Sequence, residues 1–141
     1  MKIITITRKT TARPEAIWEL WANVPGRTRW DDSLEHIKLD GEFKSGAFGA
    51  VKLKDQPERK FEILDSAPMQ KYTDRFFLPM GGKMDWVHTI QETEGGREVT
   101  FDVSVSGPTS FILGPIMKKI LSKDLPPTVE KLIAVAEGAG K

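Results

Sequence analysis

Apolar and polar residues alternate with period two through most of this chain, and the alternation gives way to a period of three to four in two places. Residues 2–9 form a short β-type run. The stretch TTARPEAIWELWANV then opens with threonines and Pro14 and places Ile17, Leu20 and Trp21 at helical spacing, so it predicts a short helix that Pro25-Gly26 closes. After TRWDDS the period returns to two in LEHIKLD, FGAVKLK, KFEILD, YTDRFF, KMDWVHTI and EVTFDVSV. These are six further strands, separated by turn residues at hairpin intervals. In the last third Leu113, Met117, Leu121, Leu125, Val129, Leu132, Ile133 and Ala136 recur at three and four, which predicts a long helix. Pro126-Pro127 falls inside it. The stripe keeps its phase across the prolines, so a kinked single helix is expected, with a break into two helices as the alternative.

Register arguments then assign faces. Centring the EGGREV turn on Gly95-Gly96 sets Ile90 opposite Phe101, His88 opposite Val103 and Trp86 opposite Val105, all on one face. The other face, with Thr89, Gln91, Asp102 and Ser104, is mainly polar. His88 is therefore expected on the buried side. The hairpin KFEILDSAPMQKYTDRFF, centred on Pro68-Met69, pairs Phe61 with Phe76, Ile63 with Asp74 and Glu62 with Arg75. Its inner face would hold Phe61, Ile63, Tyr72, Asp74 and Phe76, leaving Glu62 and Arg75 as an exposed pair. A shift of one residue would instead turn Thr73, Arg75 and Phe77 inward.

Composition narrows the function. The 141 residues suit one compact domain over 1–141. Lys plus Arg total 21 against 20 acids, a net charge of +1 with the signs interspersed, so no nucleic-acid footprint is present. The chain has no cysteine, hence no disulfide framework, thiol nucleophile or thiolate metal site. No secretory leader and no integral membrane segment are read, and the expected location is the cytoplasm. Only two histidines exist, His36 and His88, on different strands, and Asp31-Asp32 on a loop do not make a metal site. No metal or other cofactor is expected. GGK at 81–83 lacks the helix that a phosphate cradle needs, and Ser104 and Asp102 face away from His88, against a serine hydrolase.

The order of strand, short helices, six strands and long final helix resembles the START-like, or SRPBCC, superfamily, and within it the polyketide cyclase/dehydrase and lipid-transport branch. The likeness is carried by residues 14–41, FGAVKLK at 48–54, KMDWVHTI at 83–90 and residues 106–132, and it covers essentially the whole chain. It implies an α+β helix-grip fold: a curved seven-stranded antiparallel sheet around the C-terminal helix, with two short helices between the first two strands. It also implies a deep cavity that holds an apolar molecule. No motif separates carriers from enzymes, and the superfamily contains monomers and homodimers.

In this chain the wall of such a cavity would be Phe61, Phe76, Trp86, Ile90, Phe101 and Val103 from the sheet with Met117, Ile120 and Leu121 from the helix, while Trp30 gates or floors it. Tyr72, Asp74 and His88 are the polar candidates. As acid and base, His88 and Asp74 could exchange protons with an enolisable carbonyl. As core residues they would need partners within the protein. An apolar small-molecule ligand is thus expected, with a cyclase or dehydratase as the alternative. The last helix, with Lys118, Lys119 and Lys123, could also be read as a membrane-surface element, although cover for the open sheet explains it better, and the segment LPMGG at 78–82 could dock a partner.

Overall fold

A computed structural model describes residues 1–139. The elements follow the order β1 (Lys2–Thr10), α1 (Pro14–Ala22), a 3-10 turn (Pro25–Arg29), β2 (Leu34–Leu39), β3 (Phe48–Leu53), β4 (Arg59–Ala67), β5 (Lys71–Phe77), a second 3-10 turn (Pro79–Gly81), β6 (Lys83–Thr93), β7 (Gly96–Ser106) and α2 (Ser110–Ala139). The strands make one unclosed antiparallel sheet in the order β1-β7-β6-β5-β4-β3-β2. This is a helix-grip architecture, an antiparallel sheet against one long C-terminal helix.

Bulges interrupt the register in β1, β2 and β4, the positions at which an antiparallel sheet bends most readily. Gly49 serves the same curvature. A Cβ there would collide with the Lys38 carbonyl and the Phe61 ring, so only glycine lets β2 and the aromatic approach β3. Gly49→Ala is expected to cost about 1–3 kcal/mol in urea unfolding, the range for overpacking.

The inner face of β7 shows the alternation plainly, with Val99, Phe101, Val103 and Val105 all buried beneath the helices. Leu121, Leu125, Val129, Leu132 and Ala136 supply the covering stripe of α2, joined by Ile17, Leu20 and Trp21 from α1. Side-chain ties fix α2 to its neighbours: Arg8 pairs with Glu130 at 2.6 Å, Thr10 donates to Glu137 at 2.8 Å, and Lys131 reaches Asp32 at 2.6 Å. α2 runs unbroken through Pro115, Pro126 and Pro127. The last two leave the carbonyls of Ser122 and Lys123 without their helical donors, and both residues are exposed to water that can satisfy them. One helix, not two, is the outcome.

The β4–β5 register is as expected away from the turn, with Phe61 opposite Phe76, Glu62 opposite Arg75 and Ile63 opposite Asp74. Beyond the β4 bulge it shifts by one, setting Ser66 opposite Tyr72 and Ala67 opposite Lys71, so the turn is centred on Met69 and not on Pro68-Met69. Arg75, however, turns its guanidinium to Asp85 on β6 in two bonds of 2.7 and 2.8 Å, because that geometry is bidentate and Glu62 offers none better.

The β6–β7 hairpin differs by two residues. His88 faces Phe101, Trp86 faces Val103 and Ile90 faces Val99, because the turn is centred on Glu94-Gly95. Gly95 takes the left-handed turn position at φ +80°, while Gly96 already belongs to β7 and lies against the end of β1, where a Cβ would stand 2.7 Å from the Thr10 carbonyl. The two glycines do different jobs. A two-residue shift preserves the face, so His88 is still turned inward and is buried.

Candidate functional site

The inner face of β5 and β6 carries Tyr72, Asp74, Trp86 and His88 into the space under α1, and the bulge in β4 and the pairing of β5 with β6 set them side by side. Tyr72 lies directly opposite His88 and Asp74 directly opposite Trp86. The Tyr72 and His88 rings stack almost parallel, their planes 3° apart with centroids at 4.0 Å. Phe101 meets His88 edge-on at 4.7 Å, Trp86 stacks on it at 6.2 Å and Trp21 of α1 closes the top at 5.4 Å. Trp18 and Phe43 add edge contacts to Tyr72 at 6.0 and 5.1 Å.

Arg27 enters this aromatic box from the 3-10 turn. α1 ends with carbonyls that lack helical donors, and two side chains take them up: Arg27 Nε donates to the Trp21 carbonyl at 2.9 Å and Trp30 Nε1 to the Leu20 carbonyl at 3.1 Å. So anchored, Arg27 points Nη1 at Asp74 Oδ2, 3.2 Å away, with its guanidinium carbon 5.3 Å from the Tyr72 ring centre. Both side chains of this ion pair are at most 5% exposed.

Around it the hydrogen bonding is incomplete. Trp21 Nε1, Arg27 Nη2, Tyr72 Oη, Asp74 Oδ1, Trp86 Nε1 and His88 Nδ1 are all buried and have no partner within the protein. An unsatisfied buried polar group costs about 1–3 kcal/mol. Six of them would consume most of a domain's net stability of about 5–15 kcal/mol. Such atoms take their partners from outside the chain, from ordered water or from a bound molecule.

Burial sets the protonation states. It raises the Asp74 carboxyl to about 6, an effect that Arg27 partly offsets. Burial, helped by the Arg27 charge, holds His88 well below the usual imidazole range, and burial pushes the Tyr72 phenol well above its own. Near neutrality His88 and Tyr72 are neutral, and Asp74 is the group poised to exchange a proton. The signs give a test by unfolding at stepped pH. Between pH 6 and 4 the folded state holds a proton on Asp74 that the unfolded chain lacks, so this group makes folding more favourable as pH falls. His88 acts oppositely, because below about 6.5 the unfolded chain binds a proton that the folded imidazole refuses. Relative to wild type, Asp74→Asn should therefore lose stability on acidification and His88→Asn gain it, each by up to about 1.4 kcal/mol per pH unit.

Most of the expected site residues do converge. Tyr72, Ile90, Phe101, Val103 and Leu121 share one core cluster with Trp30, and Phe76, Trp86 and Met117 pack against it half-buried. Phe61 belongs to a neighbouring cluster with Ile63 and Val51, stacked on Phe76 at 5.6 Å. Ile120 does not face the interior: it is 45% exposed on the outer side of α2, one step round the helix from Leu121. Trp30 is fixed by its bond to Leu20 rather than free to gate. His88 and Asp74 do not meet as a dyad, since the Asp74 bond goes to Arg27. Rings fill much of the space expected for a cavity, and an open depression lined by Lys9, Thr10, Glu94, Arg97 and Glu137 involves none of the expected ligand residues.

Arg27 is the residue that sequence reasoning missed. In PGRTRW nothing separates it from Arg29, which faces solvent and pairs with Glu19 at 3.1 Å. The available signal was Asp74 itself, because an inward carboxylate demands a cation and its cross-strand neighbours Ile63 and Trp86 supply none.

Among the described residues no cluster of three or more His, Asp or Glu could hold a metal ion, and no helix is long and apolar enough to cross a membrane. No family model and no curated protein matches the chain. Solved structures do. A Mesorhizobium loti protein, MLL2253, superposes with a TM-score of 0.77 at 15% identity over 96% of both chains. The di-domain ARO/CYC StfQ from the steffimycin biosynthetic pathway gives 0.78 at 9% identity, covering 99% of this chain and 52% of that one. The Aha1 dimer from Colwellia psychrerythraea gives 0.69 at 16% identity over 95% of each chain. At such identities the likeness carries the fold.

Proposed function

We propose that this protein binds an apolar small molecule, lipid- or polyketide-like, between the sheet and the helices, and reads its polar group with Arg27, Tyr72, Asp74 and His88. The observation that carries the reading is the set of six buried, unpartnered polar atoms gathered within one box of aromatic rings. Apolar walls supply affinity at about 25 cal/mol per Å² of buried apolar surface, and the polar atoms supply orientation. Half-buried Phe76, Trp86, Leu113 and Met117 pack against that core and offer an arriving ligand its first apolar contacts. Entry displaces ring contacts made by Trp18 and Phe43, so binding is coupled to a shift of α1 or of the β2–β3 loop.

The experiment is a titration with a naphthol, flat and carrying one hydroxyl, followed by tryptophan emission, because Trp18, Trp21 and Trp86 all belong to the site. Saturable quenching that His88→Phe weakens tenfold or more is the expected result. Unsaturable quenching, the same in both proteins, would refute the reading.

One observation favours a second reading, a cyclase or dehydratase. Asp74 titrates at about 6 with Oδ1 free, suited to taking a proton from carbon beside a carbonyl, while neutral His88 can hydrogen-bond the developing oxygen. A polyketide-type substrate whose turnover, but not binding, is abolished by Asp74→Asn would establish it.

A further inference from the structure

The first half of α2 is apolar on both sides. Inward it presents Leu113, Gly114, Met117 and Leu121; outward, at strict four-residue spacing, it presents Ile112, Ile116 and Ile120, which are 50%, 50% and 45% exposed. The second half of the same helix turns Pro127, Glu130 and Lys131 outward, as a helix covering a sheet normally does. At the beginning of α2, Phe111 is 69% exposed. The 3-10 turn of residues 79–81 lies against the β7–α2 turn, where a Cβ on Gly107 would stand 2.6 Å from the Gly81 carbonyl, and it adds Met80, 75% exposed. An uncovered apolar surface of this extent marks an interaction site.

Charge identifies the occupant. From Ser110 to Lys123 there is no acidic residue but there are three lysines, Lys118, Lys119 and Lys123, in a chain whose total net charge is only +1. Among the described residues no ion pair engages them. Lys119 and Lys123 sit four apart on the same outward face as Ile116 and Ile120. A second copy of the chain is disfavoured as occupant, because two-fold pairing of this face would oppose its own lysines. Lysine stems that lie along an apolar face while their ammonium groups reach outward suit a surface with acyl chains beneath and negative charge above.

We propose that the outer face of residues 111–123, together with Met80, docks the protein reversibly on an anionic lipid surface. The face is separate from the buried cluster and needs no ligand there, so its test is independent of the proposed function. The protein is sedimented with vesicles of phosphatidylcholine alone or mixed with phosphatidylserine, at low and at physiological salt. Binding to the mixed vesicles, weakened by salt, is expected. Lys119→Gln with Lys123→Gln should lower the partition coefficient roughly fivefold per lysine, and Ile116→Asp with Ile120→Asp at least tenfold, with helix content and interior tryptophan emission unchanged in both. Failure to bind mixed vesicles at low salt overturns the proposal, as does binding that either variant leaves intact. Self-association in ultracentrifugation that Ile116→Asp abolishes would also overturn it, by assigning the face to a second copy.

Discussion

Arg27→Met is expected to lose about 3–5 kcal/mol of folding stability in urea denaturation, more than any other single polar substitution in this chain. The guanidinium makes the one protein hydrogen bond that Asp74 receives from a side chain, and it also takes up the Trp21 carbonyl at the end of α1. Truncation leaves a buried carboxylate without a counter-charge and a helix carbonyl without a donor. The loss should shrink as pH falls towards about 6, because Asp74 without Arg27 to lower its pKa takes up its proton at higher pH than in the wild type, and should level off below that. Adding Asp74→Leu should recover most of the lost stability, because replacing both members of a buried ion pair by apolar groups is often neutral or better. Recovery without ligand binding would mean that the pair is kept for recognition and not for folding. A loss under 1 kcal/mol would show that the pair is solvated.

Tyr72→Phe should move stability and binding in opposite directions. The phenol is wholly buried, its oxygen has no partner within the protein, and its ring is held by His88, Trp21, Trp18 and Phe43. Removing the hydroxyl keeps every ring contact and deletes one unsatisfied polar group, so the free protein should gain about 1–3 kcal/mol. Affinity for a hydroxylated aromatic probe should fall at least tenfold, since the group that completes the hydroxyl's hydrogen bonding belongs to the ligand. This opposition is characteristic of a site held in a strained state for function. A variant that is less stable and binds unchanged would make Tyr72 an ordinary core residue.

The sequence was most legible where periodicity and burial coincide. All seven strands follow from alternation and both α-helices from apolar residues at three- and four-residue spacing, because each element buries one face. The β4–β5 register was legible because it matched Phe61 with Phe76 and set polar residues outward together. The β6–β7 register was not, since Gly96 is glycine for the sake of the Thr10 backbone and not of the turn; nothing local distinguishes the two reasons. The inward placement of His88 survived because parity, unlike register, is unchanged by a shift of two. Arg27 was illegible for a different cause: its partner is 47 residues away, and only the packing of the 3-10 turn over β5 brings them together. Ile120 was misplaced because it adjoins the core stripe on the helix, and periodicity fixes the centre of an apolar face better than its edges.

Native mass spectrometry of the freshly purified protein, beside the Tyr72→Phe, His88→Phe double variant, shows whether the buried cluster holds a small molecule. The wild-type chain should carry an additional small-molecule mass, released and identified on denaturing extraction as an apolar compound with at least one polar group, and the double variant, folded and no less stable, should emerge without it. Wild-type and variant chains that both emerge at their bare masses, and that both fail to retain added naphthol, would leave the buried polar cluster as a feature of folding alone.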